Sequence, residues 1–121
     1  MVVKLSYLIL FILLVAVLLN ASFIKKLTDD IYSELSKINE EDILLFESGF
    51  KEAENIYRKN ATFISLTVSH EDLTDIENAI YEIKGALKAG DLNTALIAKS
   101  RLENALMHLG QLSGLNIKSI F

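Results

Sequence analysis

Leu5 to Ile24 reads LSYLILFILLVAVLLNASFI, twenty residues without a charge, bounded by Lys4 on one side and by Lys25 and Lys26 on the other. Fourteen of the twenty are Leu, Ile, Val or Phe. A hydrocarbon core about 30 Å thick is crossed by about 20 apolar residues in helical form, and each such side chain favours the helix centre by roughly 0.3 to 0.6 kcal/mol. The run is therefore expected to span a membrane once. A cleaved secretory signal would share the basic start at Lys4 and the apolar centre from Leu5 to Leu19. A cut after Ala21, however, would put Leu19 where such sites favour a small residue. The expected division is an anchor over residues 1–24 and a helical domain over residues 25–121. Lys25 and Lys26 outnumber Lys4, so charge alone favours a cytoplasmic domain.

Outside that run the chain has the length of one small domain with one core. Its 121 residues include no Cys, no Pro and five Gly. The missing cysteines exclude disulfides, thiolate zinc sites, a lipid-bearing N-terminal cysteine and cysteine nucleophiles together. With few helix breakers, long uninterrupted helices are expected.

Beyond the anchor, Ile24, Leu27, Ile31, Leu35 and Ile38 recur at the three-and-four spacing of one helical face. This continues the anchor as a stalk; the alternative is a fresh helix capped by Thr28, Asp29 or Asp30, with a kink near the membrane surface. Asn39, Glu40, Glu41 and Asp42 form an acidic, cap-like break. Ile43, Phe46, Phe50, Ala53, Tyr57, Asn60, Ile64 and Thr67 then describe a bundle-type seam, with a β-branched tail over Thr62 to Val68 that is prone to bend. Ser69 with Asp72 three residues on reads as a helix start. Leu73, Ile76, Ile80, Ile83 and Leu87 share the next face, which ends at Gly90 as a left-handed C′ residue. Asp91 caps a last helix with a core face of Leu92, Ala95, Leu96, Leu102, Leu106 and Leu109. Gly110 is its expected stop, Ser113-Gly114 a loop, and Leu115 to Phe121 an apolar tail docked on the bundle. Asn39 to Asn60 and Lys88 to Leu109 are weakly alike, as two similar helical hairpins would be. The fold class expected is all-α: an N-terminal transmembrane helix followed by a small up-down bundle of about three further helices.

In this order, the anchor, the Ser69-His70-Glu71-Asp72-Leu73 turn, the Ile76-Glu77 face, the Asp91 hairpin, the Leu106-Met107-His108 helix end and the Asn116-Ile117 tail give the chain a family likeness. It resembles the bacterial domain-of-unknown-function family 4363 over essentially its whole length. The resemblance implies a small membrane-anchored protein of spore-forming and related Gram-positive bacteria, with its domain outside the cytoplasm and no established activity. The chain departs from many such proteins in lacking tryptophan, with Tyr57 and Phe63 where larger aromatics are expected.

No phosphate loop, nucleotide fingerprint, nucleophile elbow or zinc-helix motif is present. Between Glu40 and Glu82 eleven acidic residues face three basic ones, a local balance of −8. Such a surface disfavours nucleic acid and reads first as a solvated face, with a divalent-cation or cationic-partner surface at Glu71, Asp72 and Asp75 as the functional alternative. His70 and His108 are the two histidines. Counted from Gly90 at ~1.5 Å per residue, they lie about 30 Å and 27 Å along antiparallel helices, which brings them to the same end. A metal site of His70, His108 and Glu71, or Asp72, is one reading; helix capping by His70 and a dipole contact by His108 is the simpler one.

The function expected from the sequence is a non-enzymatic extracytoplasmic interaction or assembly module, an accessory subunit of a larger membrane protein. It would have no cofactor, with the lipid bilayer and a membrane protein or a second copy as partners. The alternative is a ligand- or metal-sensing bundle acting through a partner. Mass spectrometry of the mature chain is expected to show the apolar run retained; a mature N-terminus at Ser22 or Phe23 would end the anchor reading.

Overall fold

In the computed structural model of the chain, residues 2–120 are described, with side-chain surroundings through Leu112. Helix α1 (Val2–Ser36) is unbroken for 35 residues, about 52 Å at ~1.5 Å per residue. It is long and apolar enough to cross a membrane, and its apolar window is not buried among the described residues. Burial begins at Ala21 and continues at Ile24, Leu27, Thr28, Ile31 and Leu35. The residues expected to form a stalk are thus core residues of the bundle. Thr28 starts no new helix: its hydroxyl donates to the Lys25 carbonyl at 2.9 Å, a bond that leaves the helix intact.

Helices α2 (Ile43–Lys59), α3 (Ala61–Thr67), α4 (His70–Lys88) and α5 (Leu92–Ile120) complete the fold. The Asn39 side chain accepts from the Glu41 and Asp42 amides at 2.8 and 3.0 Å, turning the chain after α1. Asp42 then caps α2 by accepting from Leu44 N at 2.9 Å. Ser69 Oγ accepts from Asp72 N at 3.2 Å and donates to the Asp72 carboxylate at 2.8 Å, so the expected cap opens α4. Gly90 has φ 71°, and the Asp91 and Gly90 amides reach back to the Ala86 and Leu87 carbonyls at 2.9 and 3.1 Å. That is the Schellman ending its position called for.

Two expectations are corrected. The seam of α2 does not run as one helix to Thr67: the Asn60 side chain donates to the Ile56 carbonyl at 2.9 Å, and its φ of −111° breaks the helix before α3. Ile64 remains buried beyond the break, whereas Thr67 is exposed. Gly110 does not stop α5, which continues through the Ser113-Gly114 pair to Ile120. Gly110 is instead a contact point: a Cβ there would lie 3.0 Å from Thr28 Oγ1 on α1. The expected docking of the Leu115 to Phe121 tail lies outside the described side chains.

α1 pairs with α2 and α4 with α5, and the two hairpins pack together mainly through α1 against α5. Leu35, Phe46, Phe50, Tyr57, Ile76, Ile80, Ile83 and Leu106 are the largest fully buried side chains. Small residues set the helix spacing between them, and at Gly49 a Cβ would meet Ile38 Cγ1 at 2.8 Å. Ile80 and Leu102 face one another around a residual void of about 10 Å³ shared with Ile31, Phe50 and Tyr57.

Truncating either side chain enlarges that void. Ile80→Ala and Leu102→Ala in the detergent-solubilised full chain are each expected to lower unfolding free energy by roughly 2–5 kcal/mol. Thermal or urea unfolding checks this, and a change below about 1 kcal/mol would contradict the packing described.

Candidate functional site

Where α2 passes α4 the two helices touch far less than α1 touches α5 or α2, or α4 touches α5, and polar side chains bridge them. Glu54, Tyr57 and Arg58 fall three and four residues apart, on one face of α2; Glu77 and Lys84 fall seven apart, on one face of α4. Tyr57 OH donates to Glu77 Oε1 at 2.8 Å, and Arg58 donates to the same oxygen at 2.9 Å. Lys84 Nζ lies 2.8 Å from Glu54 Oε2, a contact that is ionic rather than a well-angled hydrogen bond. The Arg58 guanidinium also sits 5.2 Å from the centre of the Tyr57 ring.

Burial pushes the Tyr57 phenol well above its ordinary value, and the Glu77 hydrogen bond and charge push it further, against a small opposing effect of Arg58. Tyr57 is therefore a neutral, permanent donor to Glu77. Burial works against the charged form of Arg58, but its hydrogen bond to Glu77 and the charges of Glu77 and Glu54 outweigh it and raise its pKa. Beside these bridges the seam opens into a groove of about 340 Å³, lined by Glu47, Phe50, Lys51, Glu54, Lys84, Leu87 and Lys88.

A second polar cluster ties the turn after α1 to α5. The Lys99 side chain is only 6% exposed, and its Nζ donates to Glu40 and to Glu103, each at 2.9 Å. Burial alone would pull the ammonium down, but these two hydrogen bonds and charges outweigh it and hold it above the ordinary lysine value. Reading the core face of α5 by apolar letters passes over Lys99. The signal was nonetheless available: Leu92, Ala95, Lys99, Leu102, Leu106 and Leu109 alternate by three and four without a gap, which puts the lysine on the buried stripe.

The antiparallel α4–α5 hairpin does bring His108 to the start of α4, where its Nε2 lies 3.8 Å from Asp72 Oδ1. His70 and Glu71 are exposed in the first turn of α4. Successive helical residues diverge by about 100°, so the side that carries Asp72 toward α5 turns those two away. Among the described residues no group of three or more His, Asp or Glu side chains is placed to hold a metal ion. The Asp72 carboxylate, moreover, already accepts from the Ser69 hydroxyl, while the Asp72 amide donates to Ser69 Oγ.

The model of the family described as a domain of unknown function, DUF4363, matches residues 18–120. The chain belongs to the DUF4363 family. Neither a curated protein nor a solved structure matches it. The stretch shared with DUF4363 begins within one turn of Ala21, where α1 enters the core. What the DUF4363 match covers is thus the whole bundle, with the α2–α4 seam and the Lys99 clamp inside it.

Both Lys99 and Tyr57 hold their protons more tightly folded than unfolded. The unfolded chain binds fewer protons above about pH 10, so stability contributed by these groups is complete at neutral pH and lost as pH rises through the folded values. Unfolding midpoints are expected to fall on the alkaline side in the wild type and to fall less in Lys99→Met and Tyr57→Phe. At neutral pH Lys99→Ala, which strands Glu103 without its partner, is expected to cost about 1–3 kcal/mol.

Proposed function

We propose that this DUF4363 protein is a single-pass membrane protein whose bundle lies outside the cytoplasm and serves as a non-enzymatic interaction or assembly module, an accessory subunit of a larger membrane protein. The observation that carries this reading is the continuity of α1, whose first half presents exposed apolar side chains and whose second half is a core helix of the bundle. Exposed apolar surface of that length is stable against lipid or another apolar helix and not against water. A partner held at either end is therefore coupled through one rigid element to the other. The orientation rests on the family resemblance, against the pull of Lys25 and Lys26.

A second reading, a sensing bundle acting through a partner, is favoured by the groove beside Glu54 and Lys84, where the seam between α2 and α4 is held by side chains that a ligand could exchange. The two readings differ in what changes on binding.

Affinity purification of the tagged full chain from native membranes in mild detergent is expected to recover a membrane-protein partner in a fixed ratio. Recovery of the chain alone would remove the accessory-subunit reading. Reporter fusions after Phe121 are expected to be active only with reporters that work outside the cytoplasm, and the opposite result would reverse the topology.

A further inference from the structure

From Asn60 to Ser69 the chain reads NATFISLTVS, ten residues without a charge, set between Lys59 and His70. Within it, α3 turns Ile64 into the core and leaves Phe63 and Leu66 outside, Leu66 at 79% exposure. An exposed leucine on so short and uncharged a helix would be unremarked if it stood alone. Its position is what gives it meaning. The Phe63 ring packs edge-on against Phe23, with centroids 4.8 Å apart and planes at 76°. Phe23 belongs to the uncharged run of α1, two residues before Lys25.

The turn that follows reaches deeper still. Thr67, Val68 and Ser69 share a cleft of about 190 Å³ with Val17 and Asn20, residues inside the apolar run, and Asp72 of the following helix also lines it. At ~1.5 Å per residue, Val17 lies about 12 Å to the apolar side of Lys25. Two hydroxyls of this helix are met within it: Ser65 Oγ donates to the Thr62 carbonyl at 2.7 Å and Thr67 Oγ1 to the Phe63 carbonyl at 2.9 Å. Lys59 precedes this stretch and Lys25 and Lys26 follow the apolar run of α1, and all three are exposed.

We propose that α3 is a second membrane contact: it lies at the boundary between lipid headgroups and acyl chains, with Phe63 and Leu66 turned into the bilayer, so that the bundle rests on the membrane instead of standing clear of it. The proposal rests on the reading of α1 as a membrane span. The partner it names is lipid, because Phe23 and Val17 fix the depth of α3 against that span.

The chain has no tryptophan, so a single substitution supplies an unambiguous optical probe. Leu66→Trp, Leu10→Trp and Leu44→Trp are each made in the full chain and reconstituted in phosphatidylcholine vesicles, with and without lipids brominated along the acyl chain. Leu10 lies in the span, and Leu44 is 73% exposed at the far end of the bundle. The expected result is blue-shifted emission lost to bromolipid for Leu10→Trp and Leu66→Trp, with Leu44→Trp unshifted and quenched by aqueous acrylamide. Leu66→Trp behaving like Leu44→Trp, while Leu10→Trp is quenched by bromolipid, would overturn the proposal and leave the span intact. Leu66→Trp shielded from both quenchers would assign the face to protein, a second copy included, and overturn it equally. Failure of bromolipid to quench Leu10→Trp would remove the span itself and the proposal with it.

Discussion

The packing of α1 against α5 is the contact on which the rest of the bundle is built. α1 brings α2 with it through the turn at Asn39, and α5 brings α4 through the Schellman turn at Gly90. Each outer helix therefore has one inner helix to pack on, and the two inner helices have each other. The approach is close at Gly110, which lies against Thr28, and Ala21 on α1 and Ala95 and Ala98 on α5 are among the buried small residues. Dispersion and apolar burial act over this short separation without needing directional partners.

The α2–α4 side is held by a different kind of force. There the chain places phenol, guanidinium, ammonium and carboxylate groups whose contacts are directional and partly open to water. Exposed ion pairs contribute little to stability, roughly 0–1 kcal/mol each. The Tyr57 to Glu77 bond is the firmer member because the phenol is buried and has a charged acceptor. The bundle thus has a strong seam of small apolar residues and a weaker seam of polar ones. The groove lies on the weaker side.

Local signals were legible in the sequence wherever one residue decides the outcome. Gly90, Ser69 with Asp72, Asp42 and Asp91 all act where their letters placed them, because a positive φ or a cap hydrogen bond is decided within a few residues. Gly110 was misleading for a corresponding reason. A glycine that ends a helix and a glycine that admits a neighbouring helix look alike, and only Thr28, 82 positions away, distinguishes them. Asn60 kept the three-and-four rhythm while its side chain took a backbone carbonyl and bent the chain, so periodicity survived a change of direction. Lys99 was hidden by its charge, since its partner Glu40 is far off in sequence. Of the expected polar sites, the approach of His108 to the start of α4 followed from counting residues, but which acid would meet it depended on the azimuth of the first turn.

An unbroken α1 also fixes an angle. Because the same backbone runs from the exposed apolar residues into the core, each face of the apolar half is locked to one face of the bundle, like a key whose bow and bit cannot be turned independently. Adding or removing one residue between Ile24 and Leu27 would rotate one end relative to the other by about 100° and slide it by about 1.5 Å. Anything that grips the apolar half along one side therefore dictates which side of the bundle it meets, and the linkage tolerates substitutions far better than changes in length.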